Sequence, residues 1–146
     1  MAAKTDFLEN RMIDWFFRWQ AYTPPASFHF ALFTVAPTDA GGGTEVSGGG
    51  YARVSVARTL AAWAGTQGPG TTAASNGSSG TTSNNGVITF AAPTANWGQI
   101  VAVGVFDAAT GGNLLLYGAL QQPKTVNAGD AAPSFPAAAF SYQEDN

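Results

Sequence analysis

The sequence contains no cysteine. That excludes a disulfide framework, a thiolate metal site and a cysteine nucleophile, and it leaves the redox compartment unmarked. Charge is scarce as well. Asp, Glu, Lys and Arg together make up 10% of the 146 residues, where a soluble domain ordinarily carries roughly a quarter. The six Lys and Arg are scattered and the net charge is −3, so the clustered basic footprint that nucleic-acid binding needs is absent. No apolar run approaches the ~20 residues that cross a bilayer. The N-terminal MAAKTDFLENR has no basic segment followed by an apolar one, so no signal peptide is read there. The expectation is a protein made in the cytoplasm of its host, with neither nucleic acid nor membrane as partner.

Chemistry-bearing constellations are missing too. His29 is the only histidine and stands on an apolar stretch between two phenylalanines, which leaves Ser and Thr hydroxyls without an activating base. Asp107 and Asp130 sit in loops where a carboxylate pair could meet, but nothing marks such a pair for glycoside cleavage. Asp107, Thr110 and Asn113 are oxygen-rich, yet their spacing departs from the twelve-residue calcium loop. The triplets Gly41–Gly43 and Gly48–Gly50 lack the Lys-Ser/Thr and the following helix of a phosphate cradle, and read as turns. Trp63 and Trp97 adjoin apolar strands and read as core residues more readily than as sugar-stacking platforms. No catalytic residue, metal ligand or cofactor is assigned, and no enzymatic activity is expected.

What is present is architectural. Ser27–Val35, SFHFALFTV, is apolar on both faces of an extended chain, the pattern of a central strand covered on each side. Before it, residues 6–21 read as a helix opened by a capping-box-like Asp6 and Glu9. Leu8, Met12, Trp15, Phe16 and Trp19 fall on one side. Ile13 and Phe17 widen the apolar sector to roughly 200° at 100° per residue. Such a sector is covered either twice by its own domain or once by another subunit. Pro24 and Pro25 end the helix.

Short strands follow, separated by Gly- and Pro-rich turns. YARVSVA (51–57) alternates with Ala52, Val54 and Val56 inward and Tyr51, Arg53 and Ser55 outward. Val87–Ala91, Ile100–Phe106, Leu114–Leu120 and Ala137–Tyr142 are further strands, the middle two forming a hairpin. The polar tail is QEDN (143–146). Between Gly65 and Gly86 lies a low-complexity run whose composition favours a flexible arm, ordered only against another molecule. The pattern predicts one domain over residues 1–146. It is mainly β: an antiparallel, jelly-roll-like β-sandwich over 27–142 with an N-terminal amphipathic helix. The expected core comprises Phe28, Phe30, Leu32, Val54, Val56, Ile88, Phe90, Ile100, Ala102, Phe106, Leu114 and Leu116.

Three segments carry a family resemblance: ALFTVAPTDAGGGTEVSGGGYAR (31–53), NNGVITFAAPTANWG (84–98) and GVFDAATGGNLLLYGALQQPKTVNAGD (104–130). They resemble small virion structural proteins of tailed bacteriophages, of a kind often described as tail-fibre-like and sometimes serving as capsid cement. The resemblance implies a structural, non-enzymatic virion component. The first expectation is a capsid decoration protein at the capsid surface that bridges and stabilises major capsid proteins as a dimer or trimer. The alternative is a tail-fibre or receptor-binding domain, and a third reading is a carbohydrate-binding module. Contacts are expected at Trp15, Phe16, Phe17 and Trp19 of the helix and at Gly70, Thr71, Ser75, Ser79 and Thr82 of the arm.

Overall fold

The computed structural model describes residues 1–144, so Asp145 and Asn146 of the polar tail lie outside the described residues. Among the described residues, ten strands and one helix succeed one another. In order they are β1 (Ala3–Lys4), α1 (Asp6–Phe17), β2 (Ser27–Val35), β3 (Thr44–Glu45), β4 (Val54–Ala57) and β5 (Thr81–Ser83). Then come β6 (Ile88–Thr89), β7 (Gly98–Phe106), β8 (Leu114–Val126), β9 (Ser134–Phe135) and β10 (Ser141–Gln143).

All the strand ladders are antiparallel. The main sheet has the order β1-β8-β7-β2, with the far side of β2 shared by β4 along Ser27–Phe30 and by β3 along Phe33–Val35. β2 is therefore central, as its two-faced apolarity requires. The hairpin of β7 and β8 is also present, and β8 extends past the expected Leu120 to Val126. Pro123, which cannot donate to a ladder, falls where the register shifts between Ile100 and Ala102, a position that tolerates it.

The fold is mainly β with one helix near the N-terminus. Its second layer consists of two ribbons, β6-β9 and β5-β10, where a jelly roll would have a continuous sheet. Bridges join the layers. Ala2 pairs with Tyr142 next to β1, and Trp63, just beyond β4, pairs with Asn84 next to β5. The hydrogen-bonded path thus runs from β4 across the main sheet to β1, on through β10 and β5, and back to the chain leaving β4.

This wrap encloses the larger core, with Phe30, Leu32, Ile88, Phe90, Ile100, Val103, Val105 and Phe140 at its centre. On the outer face of the sheet a smaller cluster gathers Ala31, Phe33, Ala102 and Leu114, with Phe106 and Tyr117 partly buried against it. Gly104 sits beneath the Phe33 ring, where an added Cβ would come within 2.7 Å of that ring's Cε2. Trp97 is buried, and its Nε1 donates to the carbonyl of Gly49 (2.9 Å), a glycine at φ +55°. Trp63 is half-buried and stacks on Phe30 at 6.1 Å between ring centroids.

Several sequence expectations need correction. The helix stops at Phe17, four residues early, because Arg18 leaves helical geometry and Trp19 adopts φ +56°. Its N-cap position is Thr5, and no side chain caps it. The Thr5 hydroxyl donates instead to the carbonyls of Leu114 (2.6 Å) and Leu115 (3.2 Å), which ties the helix start to β8. In YARVSVA, ladder pairing begins only at Val54, so the alternation does not govern residues 51–53. Ala52 is exposed, while Tyr51 packs on Phe90 and Trp97. Of the expected last strand only residues from Ser141 onward pair, because Ala138 turns at φ +64°.

The low-complexity run differs most. Rather than a loose arm, it is a loop stitched to itself by its small polar side chains. Thr66 Oγ1 donates to Gly77 O (3.1 Å) and accepts from Gly77 N (2.9 Å), and Ser79 Oγ donates to Thr66 O (2.7 Å). Asn85 holds the loop from below, its Nδ2 donating to Thr71 O (3.0 Å) and its Oδ1 accepting from Gly70 N (3.0 Å). Hydrophobicity patterns do not register bonds of this kind.

Asn84 fastens the loop to the C-terminal segment. It is 1% exposed, donates through Nδ2 to Gly86 O (2.7 Å) and Pro136 O (2.8 Å), and accepts from Phe140 N at Oδ1 (2.9 Å). Truncation would leave buried backbone groups unpaired, at about 1–3 kcal/mol each before relaxation. We expect Asn84→Ala to lower the unfolding free energy by about 2–4 kcal/mol in urea titrations. Asn113→Ala in the exposed β7–β8 turn should cost less than about 1 kcal/mol. Equal effects of the two changes would contradict this account.

Candidate interaction surface

α1 contributes no buried residue. It is attached through β1, through Thr5 and by a backbone bond from Asp6 N to Asp39 O (2.9 Å). Arg18 pairs with Asp14 on one side (2.9 Å). The inward side offers Leu8, Met12 and Trp15 to an apolar groove of about 800 Å³. Phe28, Trp63, Leu116 and Phe140 line the groove as well. So do Arg58, Leu60, Tyr142 of β10 and Glu144 just after it.

The rest of the apolar sector faces water. Trp15 is 57% exposed, Phe16 72%, Phe17 77% and Trp19 97%. The Phe16 and Phe17 rings meet edge to face at 4.9 Å, which makes a ridge rather than separate side chains. Since an aromatic side chain buries roughly 150–250 Å² when fully covered, these exposures leave roughly 600 Å² of aromatic surface uncovered. That is at the upper end of what a monomer's largest apolar patch presents, about 300–600 Å². Leaving such residues in water forgoes about 1.5–3 kcal/mol of burial for each.

Of the helix residues singled out from the sequence, Trp15, Phe16 and Phe17 adjoin one another, with Trp15 also lining the groove, and Trp19 stands exposed beyond the helix end. The residues singled out in the loop direct their polar groups inward. Gly70 N donates to Asn85, Thr71 Oγ1 to Gly68 O (2.7 Å), Ser79 Oγ to Thr66 O and Thr82 Oγ1 to Ala64 O (2.8 Å), while Ser75 Oγ accepts from Thr66 N (3.2 Å). Ser75 and Thr82 also line the groove, whereas Gly70, Thr71 and Ser79 do not.

One polar cluster escaped the sequence reading. The side chain of Arg53, expected outward, is 7% exposed. It grips Glu45 through two parallel bonds (Nε to Oε1 2.8 Å, Nη2 to Oε2 2.7 Å) and donates to the carbonyls of Ala108 and Gly111 (2.8 and 2.7 Å). Its guanidinium lies 3.4 Å from the centre of the Phe106 ring. The Tyr51 hydroxyl accepts from Leu32 N (3.0 Å) and donates to Glu45 (2.9 Å). Burial, more than the nearby carboxylate, pushes the ionisation of Tyr51 well above the ordinary tyrosine range. No local motif announces this cluster, because Arg53 reaches partners more than fifty residues away. Its groups satisfy one another, which makes it a structural clamp on the β7–β8 turn. Asp107 is likewise engaged within that turn, accepting from Asn113 N (2.7 Å) and Nδ2 (2.8 Å). Among the described residues, no group of three or more His, Asp or Glu converges as a metal site.

A family model described as Gp80, podophage GP4 fiber I protein gp80, matches residues 3–143. The chain belongs to that family. It is accordingly a small phage tail-fibre-like protein, a structural virion component. No curated protein matches the chain. The Gp80 match spans the helix, the loop and every strand described above, so the ridge lies within the matched extent, and so does the groove apart from Glu144.

The C-terminal side of the groove has a titratable latch. Glu144 accepts from Lys4 Nζ (3.0 Å) and from the Tyr142 hydroxyl (2.6 Å), joining the segments that carry β1 and β10. Burial opposes ionisation of Glu144, but these two bonds outweigh it and hold its carboxyl below the usual range. With a depressed folded pKa, the unfolded chain takes up the proton first as pH falls. The stabilisation is therefore complete above the ordinary Glu value of about 4.3 and is lost on acidification through the lower folded value. We expect Glu144→Gln to be less stable than the natural protein at about pH 6, with the difference shrinking in urea titrations as pH falls below the ordinary Glu value. A difference that stays constant over that span would show that the latch does not contribute through its charge.

Proposed function

We propose that this protein is a structural subunit of the phage tail fibre, joined to its neighbours through the aromatic face of α1. The observation that carries the location is the nearly full-length match to a fiber I protein. The observation that carries the mode of attachment is the uncovered ridge of Phe16, Phe17 and Trp19. Surface ion pairs would contribute little, roughly 0–1 kcal/mol each. Apolar burial at about 25 cal/mol per Å² is the larger source of binding free energy in a chain with so few charges. Ser75 and Thr82, on the groove wall, are proposed as secondary contacts.

The fibre assignment displaces the capsid-cement reading as the preferred one, since the family's description refers to a fibre and not to the head. The carbohydrate-module reading loses its proposed platforms. Trp97 is buried, and Trp63 is packed between Phe28, Phe30 and Phe140.

Quantitative gels and antibody–gold labelling of purified particles test the assignment. A few to a few dozen copies per particle, with label on the tail, are expected. Hundreds of copies, or label over the head, would restore the capsid reading. Absence from particles would end both.

A further inference from the structure

We propose that the groove beside α1 holds a single-chain anionic amphiphile, a fatty-acid-like carboxylate whose chain lies along the apolar strip and whose head meets Arg11 and Arg58. The groove's volume of about 800 Å³ falls within the roughly 300–1,000 Å³ of small-molecule clefts, which combine apolar walls with a few polar anchors. Leu8, Met12 and Trp15 line it over two turns, about 10 Å of helix, together with Phe28, Trp63 and Phe140. The apolar lining is thus a strip, which suits an extended alkyl chain.

Charge decides which head group fits. At 100° per residue, Glu9 and Arg11 flank the stripe of Leu8, Met12 and Trp15 on opposite sides. On the Glu9 side stands Tyr142, whose ionisation is pushed up by burial first and then by its bond to Glu144 and the charges of Glu144 and Glu9. The cation of that side, Lys4, is already paired with Glu144 (3.0 Å). On the Arg11 side stands Tyr22, raised chiefly by burial and by Asp107, while the charges of Arg11 and Arg58 oppose that rise. Among the described residues, neither Arg11 nor Arg58 forms an ion pair. Arg58 lines the groove and donates through Nε to Pro25 O (2.9 Å), which leaves its two Nη groups for the two oxygens of a carboxylate. Asp107 has its own oxygens occupied by Asn113 N and Nδ2 (2.7 and 2.8 Å). An anionic head is therefore matched on the Arg11 side and repelled on the other. This inference goes beyond the fibre assignment and does not depend on it.

Isothermal titration of the full chain with decanoate, below its micelle concentration, should show one saturable site. Octanoate should bind more weakly and dodecanoate more tightly, with Kd falling about fourfold for each added methylene. Decanol, with the same chain and no charge, should bind about tenfold more weakly or worse. Arg11→Gln/Arg58→Gln should bind decanoate no better than decanol with an unchanged far-UV spectrum, since both side chains are exposed. Met12→Glu, which puts a charge on the apolar strip, should abolish uptake of both. No saturable binding of decanoate, an affinity indifferent to chain length, or a folded double variant that keeps its full preference for decanoate would each overturn the proposal. So would binding confined to intact phosphatidylglycerol vesicles, which would make the patch a membrane-surface contact.

Discussion

The hydroxyl of Tyr51 closes a gap that the main sheet cannot close by itself. One side of β2 is shared by two short strands, β4 toward its start and β3 toward its end. Between them Leu32 N would face the interior without a strand partner, a loss of the kind that costs about 1–3 kcal/mol when a buried donor goes unmet. Tyr51 accepts that bond and passes its own proton to Glu45. Glu45 in turn fixes Arg53, and Arg53 fixes the β7–β8 turn and lies over Phe106. A defect in the middle of the central strand is thus converted into a polar chain that positions both sheet faces.

How legible this was depends on the range of the interactions. The two-faced apolarity of Ser27–Val35 identified the central strand because burial on both sides leaves a local signature. The β7–β8 hairpin could be read from two apolar runs and a Gly-Gly turn. The expected core residues all fall within the two clusters, since alternation and burial are coupled along a ladder. The misreadings lie where partners are remote. Alternation sets Tyr51 outward only when it is extended past the point where pairing begins. Arg53 follows the same alternation because nothing nearby in the sequence reveals a partner at Ala108. The Gly65–Gly86 loop carries no sign of its bonds because Thr, Ser and Asn contacts to backbone have no periodicity. The excess width of the helix's apolar sector, by contrast, was legible, and it corresponds to side chains that the chain itself does not cover.

The wrap of hydrogen bonds from β4 through β1, β10 and β5 has a bearing on how the protein can meet other chains. Exposed strand edges invite pairing with other chains. Here most edge groups are occupied within the molecule, through the Ala2–Tyr142 and Trp63–Asn84 bridges as well as the ladders. Association through side chains is then favoured over strand addition, and the helix is where the apolar side chains accumulate.

The pairing of β1 with β8 also orders events in time. Residues 3 and 4 find their ladder partners at 116 and 117, and Ala2 meets Tyr142 almost at the opposite end of the chain. Contacts that distant in sequence form late in folding. During synthesis α1 emerges early, yet its seat on β8 and the groove wall at Phe140 and Tyr142 exist only once the C-terminal strand has closed. An incomplete chain would therefore display its aromatic helix before the groove beside it exists.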